Sequence, residues 1–195
     1  MLYGIAALLG LFFGLIAGGS ISNLVSIKLK KIWLILLICI IQIAVRFLSA
    51  NGLVLFKSQG AAAQILLYLV LLGWFWINRH YFGFLIMGFG CASNFIAIAA
   101  NNGKMPVSKK LADLFILNSG NINKLSQDGK HIITDSGINL GFLTDIIHLP
   151  PILRWGMDIV SIGDLIVAAG LLIAVFELIR NKSIGNIRKF STLSE

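Results

Sequence analysis

Five apolar runs, each long enough to cross a bilayer, constrain this chain more than any other feature. A helix needs roughly 20 predominantly apolar residues to span a hydrocarbon core of about 30 Å. Residues 2–19, 32–50, 61–78, 81–100 and 159–179 meet that requirement. The composition agrees, because only 12% of the 195 residues are charged and 57% are hydrophobic. Soluble domains carry about 25% charged residues to keep their surfaces wet. The reading is an all-α polytopic helical bundle of five transmembrane helices. Residues 1–195 form a single membrane domain.

Charge placement gives the orientation. Lys28, Lys30 and Lys31 follow the first run, Arg79 and His80 the third, and Arg180, Lys182, Arg188 and Lys189 the fifth. Positive residues collect on the cytoplasmic side, so the N-terminus is expected outside and the C-terminus inside. Residues 101–158 are then an extracytoplasmic loop and 181–195 a basic cytoplasmic tail. The net charge of +8 belongs to this pattern, and the lipid bilayer is the expected partner; nucleic acid is not. Trp33, Trp74, Trp76 and Trp155 fall near the ends of runs, where interfacial anchors belong. Gly10, Gly14 and Gly18 recur every four residues in the first run, a stripe that lets helices approach closely. That run lacks the basic start of a secretory signal peptide and is expected to be retained. Cys39 and Cys91 both lie in apolar runs, so no disulfide framework is expected.

Polar residues inside membrane helices are costly and by default mark function. At 1.5 Å rise per residue, Asp164 lies about 8 Å from the outer end of its run and Asn94 about 9 Å. Gln42 and Arg46 lie about 12 and 6 Å from the outer end of theirs, on one helix face. All four share the outer leaflet and are expected to line one cavity. Each has a blander role open to it: Arg46 can snorkel to the interface, Asn94 and Gln42 can bridge helices, and Asp164 can pair with Arg46. Glu177, three residues before Arg180, reads as an inner-end ion pair or interfacial residue. Asn101 and Gly103, in Asn101-Asn102-Gly103-Lys104-Met105-Pro106-Val107, suit a tight helix exit and stand beside the same layer. Asp145, in Leu143-Thr144-Asp145-Ile146-Ile147, adds a second outer carboxylate, with Pro150-Pro151 after it.

Nineteen residues separate Asp145 from Asp164, which closes Val160-Ser161-Ile162-Gly163-Asp164, with Gly170 beyond. This stretch resembles the C-terminal part of lipoprotein signal peptidase (signal peptidase II), a bacterial intramembrane aspartyl protease. Gly90-Cys91-Ala92-Ser93-Asn94 resembles a second motif of that family. The resemblance implies Asp145 and Asp164 as a catalytic pair cleaving a membrane-embedded peptide substrate at the outer face. Asn94, Arg46, Gln42, Asn101, Gly103 and Ser161 would bind or position that substrate. Ser161 stands where the peptidase has Asn, and the peptidase has four spans rather than five. The whole chain, with M-P-V after the fourth run and S-I-G-D at the fifth, also resembles an uncharacterised five-helix family of bacterial membrane proteins. Both resemblances imply the bacterial cytoplasmic membrane.

Two carboxylates held close share one proton, one acting as base on water while the other donates to the scissile carbonyl. No cofactor and no metal are expected, since His131, His148 and the two aspartates lack a ligand-spaced motif. Ser161 and Cys91 have no adjacent activating base. The competing expectation is a non-catalytic protein: a small transporter, channel subunit or accessory factor in which Asp164 is structural or part of a relay.

Overall fold

The computed structural model describes residues 2–25, 27, 29–50, 55–107, 131–133, 137–150 and 159–180, with the side chains at 25, 45–50, 55–63 and 131–133 outside that description. Most of what is described is helix: α1 (Leu2–Ile16), α2 (Ser22–Val25), α3 (Ile32–Ala50), α4 (Leu55–Ile77), α5 (Phe82–Ala100) and α6 (Ile162–Arg180). Each expected run contains one long helix. By length and composition α5 and α6 can cross a membrane, with mean hydropathies of 1.8 and 2.3. The apolar stretches Leu2–Ile16, Ile32–Ala44 and Gln64–Ile77 are shorter.

The boundaries differ from the apolar runs for local chemical reasons. Helix α1 stops at Ile16 because Gly18 adopts φ +80° and Gly19 N donates back to Gly14 O at 2.9 Å, a glycine C-terminal cap. Gly18 is therefore outside the packing stripe it was expected to join. Helix α4 begins at Leu55, so Lys57 stands in its first turn; hydropathy alone does not see a polar turn that remains helical. Helix α6 begins at Ile162 rather than 159, because Ile159–Val160 is extended and paired.

Helix α6 is the axis of the molecule and packs along α5 and α1. Helix α4 lies on α5, and α3 on α4. Small residues make the α5–α6 seam. A Cβ on Gly90 would stand 2.6 Å from Gly163 O, and one on Gly170 2.6 Å from Met87 N. Gly83 meets the backbone of Ala174 in the same way. The pairs run in opposite directions along the two sequences, so α5 and α6 are antiparallel. Gly10 meets Leu172 and Gly14 meets Ile179, so α1 runs parallel to α6.

One end of the bundle is tied together beside its basic residues. Asn78, fully buried, accepts from Lys30 N at 2.9 Å and donates to Lys30 O at 3.1 Å, joining the end of α4 to the start of α3. Ser20 N and Asn23 Nδ2 both donate to Ile179 O. Glu177 caps the neighbouring helix. Its Oε1 accepts from Phe82 N and its Oε2 from Gly83 N, at 3.1 and 2.9 Å. The N-terminal amides of α5 have no side-chain cap of their own, and a carboxylate there satisfies them and suits the helix dipole. Trp33 and Trp76 are exposed, as anchors should be, and Arg79 stacks on Trp76. Trp74 instead is buried against Phe75 and Phe84, donating Nε1–H to Lys31 O. Trp155 lies outside the described residues.

The opposite end adds short strands to the mostly helical structure. Strand β1 (Met105–Val107) pairs in parallel with β2 (His131–Ile133), with Met105 opposite His131. Strand β3 (Ile147–His148) pairs antiparallel with β4 (Ile159–Val160), with Ile147 opposite Val160. Non-helical backbone packed against apolar helices must find hydrogen bonds within the protein, and short strands supply them. M-P-V is accordingly a buried strand.

Candidate functional site

The S-I-G-D sequence builds the site from backbone upward. Ser161 is the N-cap of α6: its Oγ accepts from Asp164 N at 3.0 Å, while Asp164 Oδ2 accepts from Ser161 N at 3.0 Å. That reciprocal pair is a capping box with Asp in the usual Glu position. Gly163 completes it, because a Cβ there would collide with Asn94 Oδ1. Glycine lets α5 bring Asn94 onto the cap.

Asp164 is half-buried and surrounded by donors. Its Oδ1 accepts from Tyr3 Oη at 2.8 Å and from Asn94 Nδ2 at 2.9 Å. Its Oδ2 accepts from Ser161 N and lies 2.9 Å from Ser161 Oγ. The single hydroxyl proton of Ser161 serves either that oxygen or Asn94 Oδ1, 2.7 Å away. Helices α1, α5 and α6 are thus joined through one carboxylate. Asn94 lies six residues, about 9 Å, from the C-terminal end of α5, and Asp164 sits level with it even though its own helix starts only two residues earlier. The extended β4 segment fills the remaining length beside α5.

Asp145 is buried, 5% exposed, rather than open at the surface. Its backbone N–H donates to Pro106 O at 3.4 Å and it bridges Val107. From Asp145 the chain runs directly into β3, whose partner β4 leads into Ser161 and Asp164. The two aspartates therefore reach the same end of the bundle by one antiparallel pairing.

A cavity of about 190 Å³ adjoins Asp164 and is lined from α1, α3, α4, α5 and α6. Gln42, Asn94 and Asp164 line it together. The Arg46 side chain lies outside the described residues. Tyr3, Gln64, Tyr68 and Cys91 also line the cavity; sequence reasoning weighed Cys91 only as a nucleophile without an activating base and passed over the other three. Tyr3 could have been found as a hydroxyl near the outer start of the first run, at the level of Asp164.

Asn101 and Gly103 are not at this cavity. Asn102, at φ +56°, and Gly103 close α5 with a bond from Gly103 N to Ile98 O. Asn101 clasps Asn139, donating Nδ2–H to Asn139 O and accepting from Asn139 N. Among the described residues no three of His, Cys, Asp and Glu gather as a metal site; the side chain of His131 lies outside them.

Fold and site together define a mostly helical protein with helices able to cross a membrane and a fastened carboxylate cluster at one end. The model of the family described as "Family of unknown function (DUF5317)" matches residues 26–176, and the chain belongs to that family. The matched region holds both M-P-V and S-I-G-D, the pattern by which the sequence resembled an uncharacterised family. No curated protein and no solved structure matches the chain.

Proposed function

We propose that this is a five-span protein of the bacterial cytoplasmic membrane, N-terminus outside and C-terminus inside, acting as a non-catalytic accessory or carrier protein. The hydrogen bonding of Asp164 carries the reading. Three fixed donors and one shared hydroxyl surround its two oxygens. A general base needs an oxygen open to water and substrate, whereas this carboxylate caps its helix and fastens two others. Gln42, Asn94 and Asp164 beside a small, largely apolar cavity suit binding.

A second reading follows the likeness to lipoprotein signal peptidase: Asp145 and Asp164 as an aspartyl pair cleaving a membrane-embedded peptide. The burial of Asp145 and the β3–β4 pairing that brings it to the end of the bundle holding Asp164 favour it. Asp145→Asn and Asp164→Asn separate the readings when unfolding in detergent and cleavage of a fluorogenic transmembrane peptide are measured together. The binding reading expects no cleavage by the parent protein and a lowered unfolding midpoint for Asp164→Asn. Cleavage by the parent, lost in both variants at unchanged midpoints, would establish the hydrolase instead.

A further inference from the structure

We propose that the cavity beside Asp164 is a binding site for a primary ammonium group. Three observations converge on that chemistry. Among the described residues Asp164 has only neutral donors around it. A half-buried carboxylate with such neighbours favours a cationic partner. The amide of Gln64 and the hydroxyl of Tyr68, both on the cavity wall, form no hydrogen bond with another described residue. Each offers an oxygen lone pair. An ammonium has three N–H donors and no acceptor: Gln64 Oε1 and Tyr68 Oη can each take one, and Asp164 supplies the opposite charge.

The space, about 190 Å³, has room for an aminoethyl group. The apolar remainder of the wall, Ile38, Leu67, Leu71 and Val167, suits the methylenes of such a group. The same ammonium could arrive on a free small amine or on the ethanolamine headgroup of a lipid. Only the lipid source depends on the outward membrane placement proposed above. The site itself depends on neither the topology nor the absence of catalysis, so its test is independent of both.

Unfolding of the detergent-purified full chain is followed with ethanolamine, choline or sodium chloride at equal concentration, and separately with phosphatidylethanolamine or phosphatidylcholine added to the micelles. Ethanolamine at tenfold its dissociation constant should raise the midpoint by about 3–6 °C, and choline, which has no N–H donor, should not. A shift with phosphatidylethanolamine but not free ethanolamine assigns the group to lipid; a shift with free ethanolamine shows that a small amine suffices. Gln64→Leu, which removes no hydrogen bond seen in the structure, should keep the unliganded midpoint and abolish the shift. Asp164→Asn should abolish it as well. No shift from either amine source, an equal shift with sodium or choline, or an undiminished shift in Gln64→Leu would each overturn the proposal.

Discussion

Ser161, Gly163 and Asp164 have separate duties within four residues, so single substitutions should fail in different ways. Gly163→Ala places a methyl group on Asn94 Oδ1. Either α5 moves away or the amide swings off Asp164, and overpacking of this kind costs about 1–3 kcal/mol. The thermal midpoint should fall by several degrees, while Ile162→Ala, at a position 38% exposed, should shift it little. Ser161→Ala removes the N-cap and leaves Asn94 Oδ1 without its hydroxyl donor. Loss of a cap alone costs about 1 kcal/mol, and burial at 0% exposure adds the desolvated Asn94 oxygen. Chemical denaturation should therefore place Ser161→Ala at least as low as Gly163→Ala. If both behave like Ile162→Ala, the cluster is not a fastening. S-x-x-D before an apolar run is readable as a capping box. Its other use, as a socket for Tyr3 and Asn94, needs residues 161 and 70 positions away and is not written locally.

Among the elements, the α5–α6 pair is held at both ends by carboxylates of α6. Asp164 takes Asn94 near one end of α5, and Glu177 takes the Phe82 and Gly83 amides at the other. Glu177→Gln retains one acceptor oxygen and loses the charge that complements the helix dipole. Amide hydrogen exchange at Phe82 and Gly83 should accelerate roughly tenfold, the effect of about 1.4 kcal/mol of local opening, with Asn94 unaffected. Uniform acceleration along α5 would mean that the cap supports the whole helix. Between the ends, the seam is glycine. Gly170→Val should push α6 off Met87 and reduce folded yield, whereas the same change at Gly73, which meets no neighbour within 4 Å, should be tolerated. The positions Gly83, Met87, Gly90, Asn94 and Ala97 alternate steps of four and three, the periodicity of one helix face. That stripe was present in the sequence beside the Gly10–Gly14 stripe and was not read. Hydropathy registers only that a run is apolar, and small residues packed on a neighbour score much like those facing lipid.

On the scale of the whole molecule, the two ends differ in kind. Lys30, Lys31, Arg79 and Arg180 gather at the end tied by Asn78 and Glu177, and Asp145 and Asp164 lie at the other. A five-span arrangement with the basic end in the cytoplasm predicts that cysteines replacing Leu29 and Gly185, with Cys39 and Cys91 changed to Ser, resist membrane-impermeant maleimide applied outside intact cells. Labelling of both without permeabilisation would reverse the orientation.

The sequence by itself determined where the long helices lie, which ends carry positive charge, and that Asn94 and Asp164 lie near one end of theirs. These follow from local quantities: apolar length against bilayer thickness, charge beside a span, and rise per residue. Only the tertiary structure decided that Asp164 is a three-helix fastening, that Tyr3 belongs to it, and that Asn101 faces Asn139 instead. It also decided that the outer segment forms paired strands bringing Asp145 into the interior. A hydrogen bond between residues 3 and 164 depends on which helices pack and at what register. That is set by the glycine seams acting together, and no window along the chain contains it.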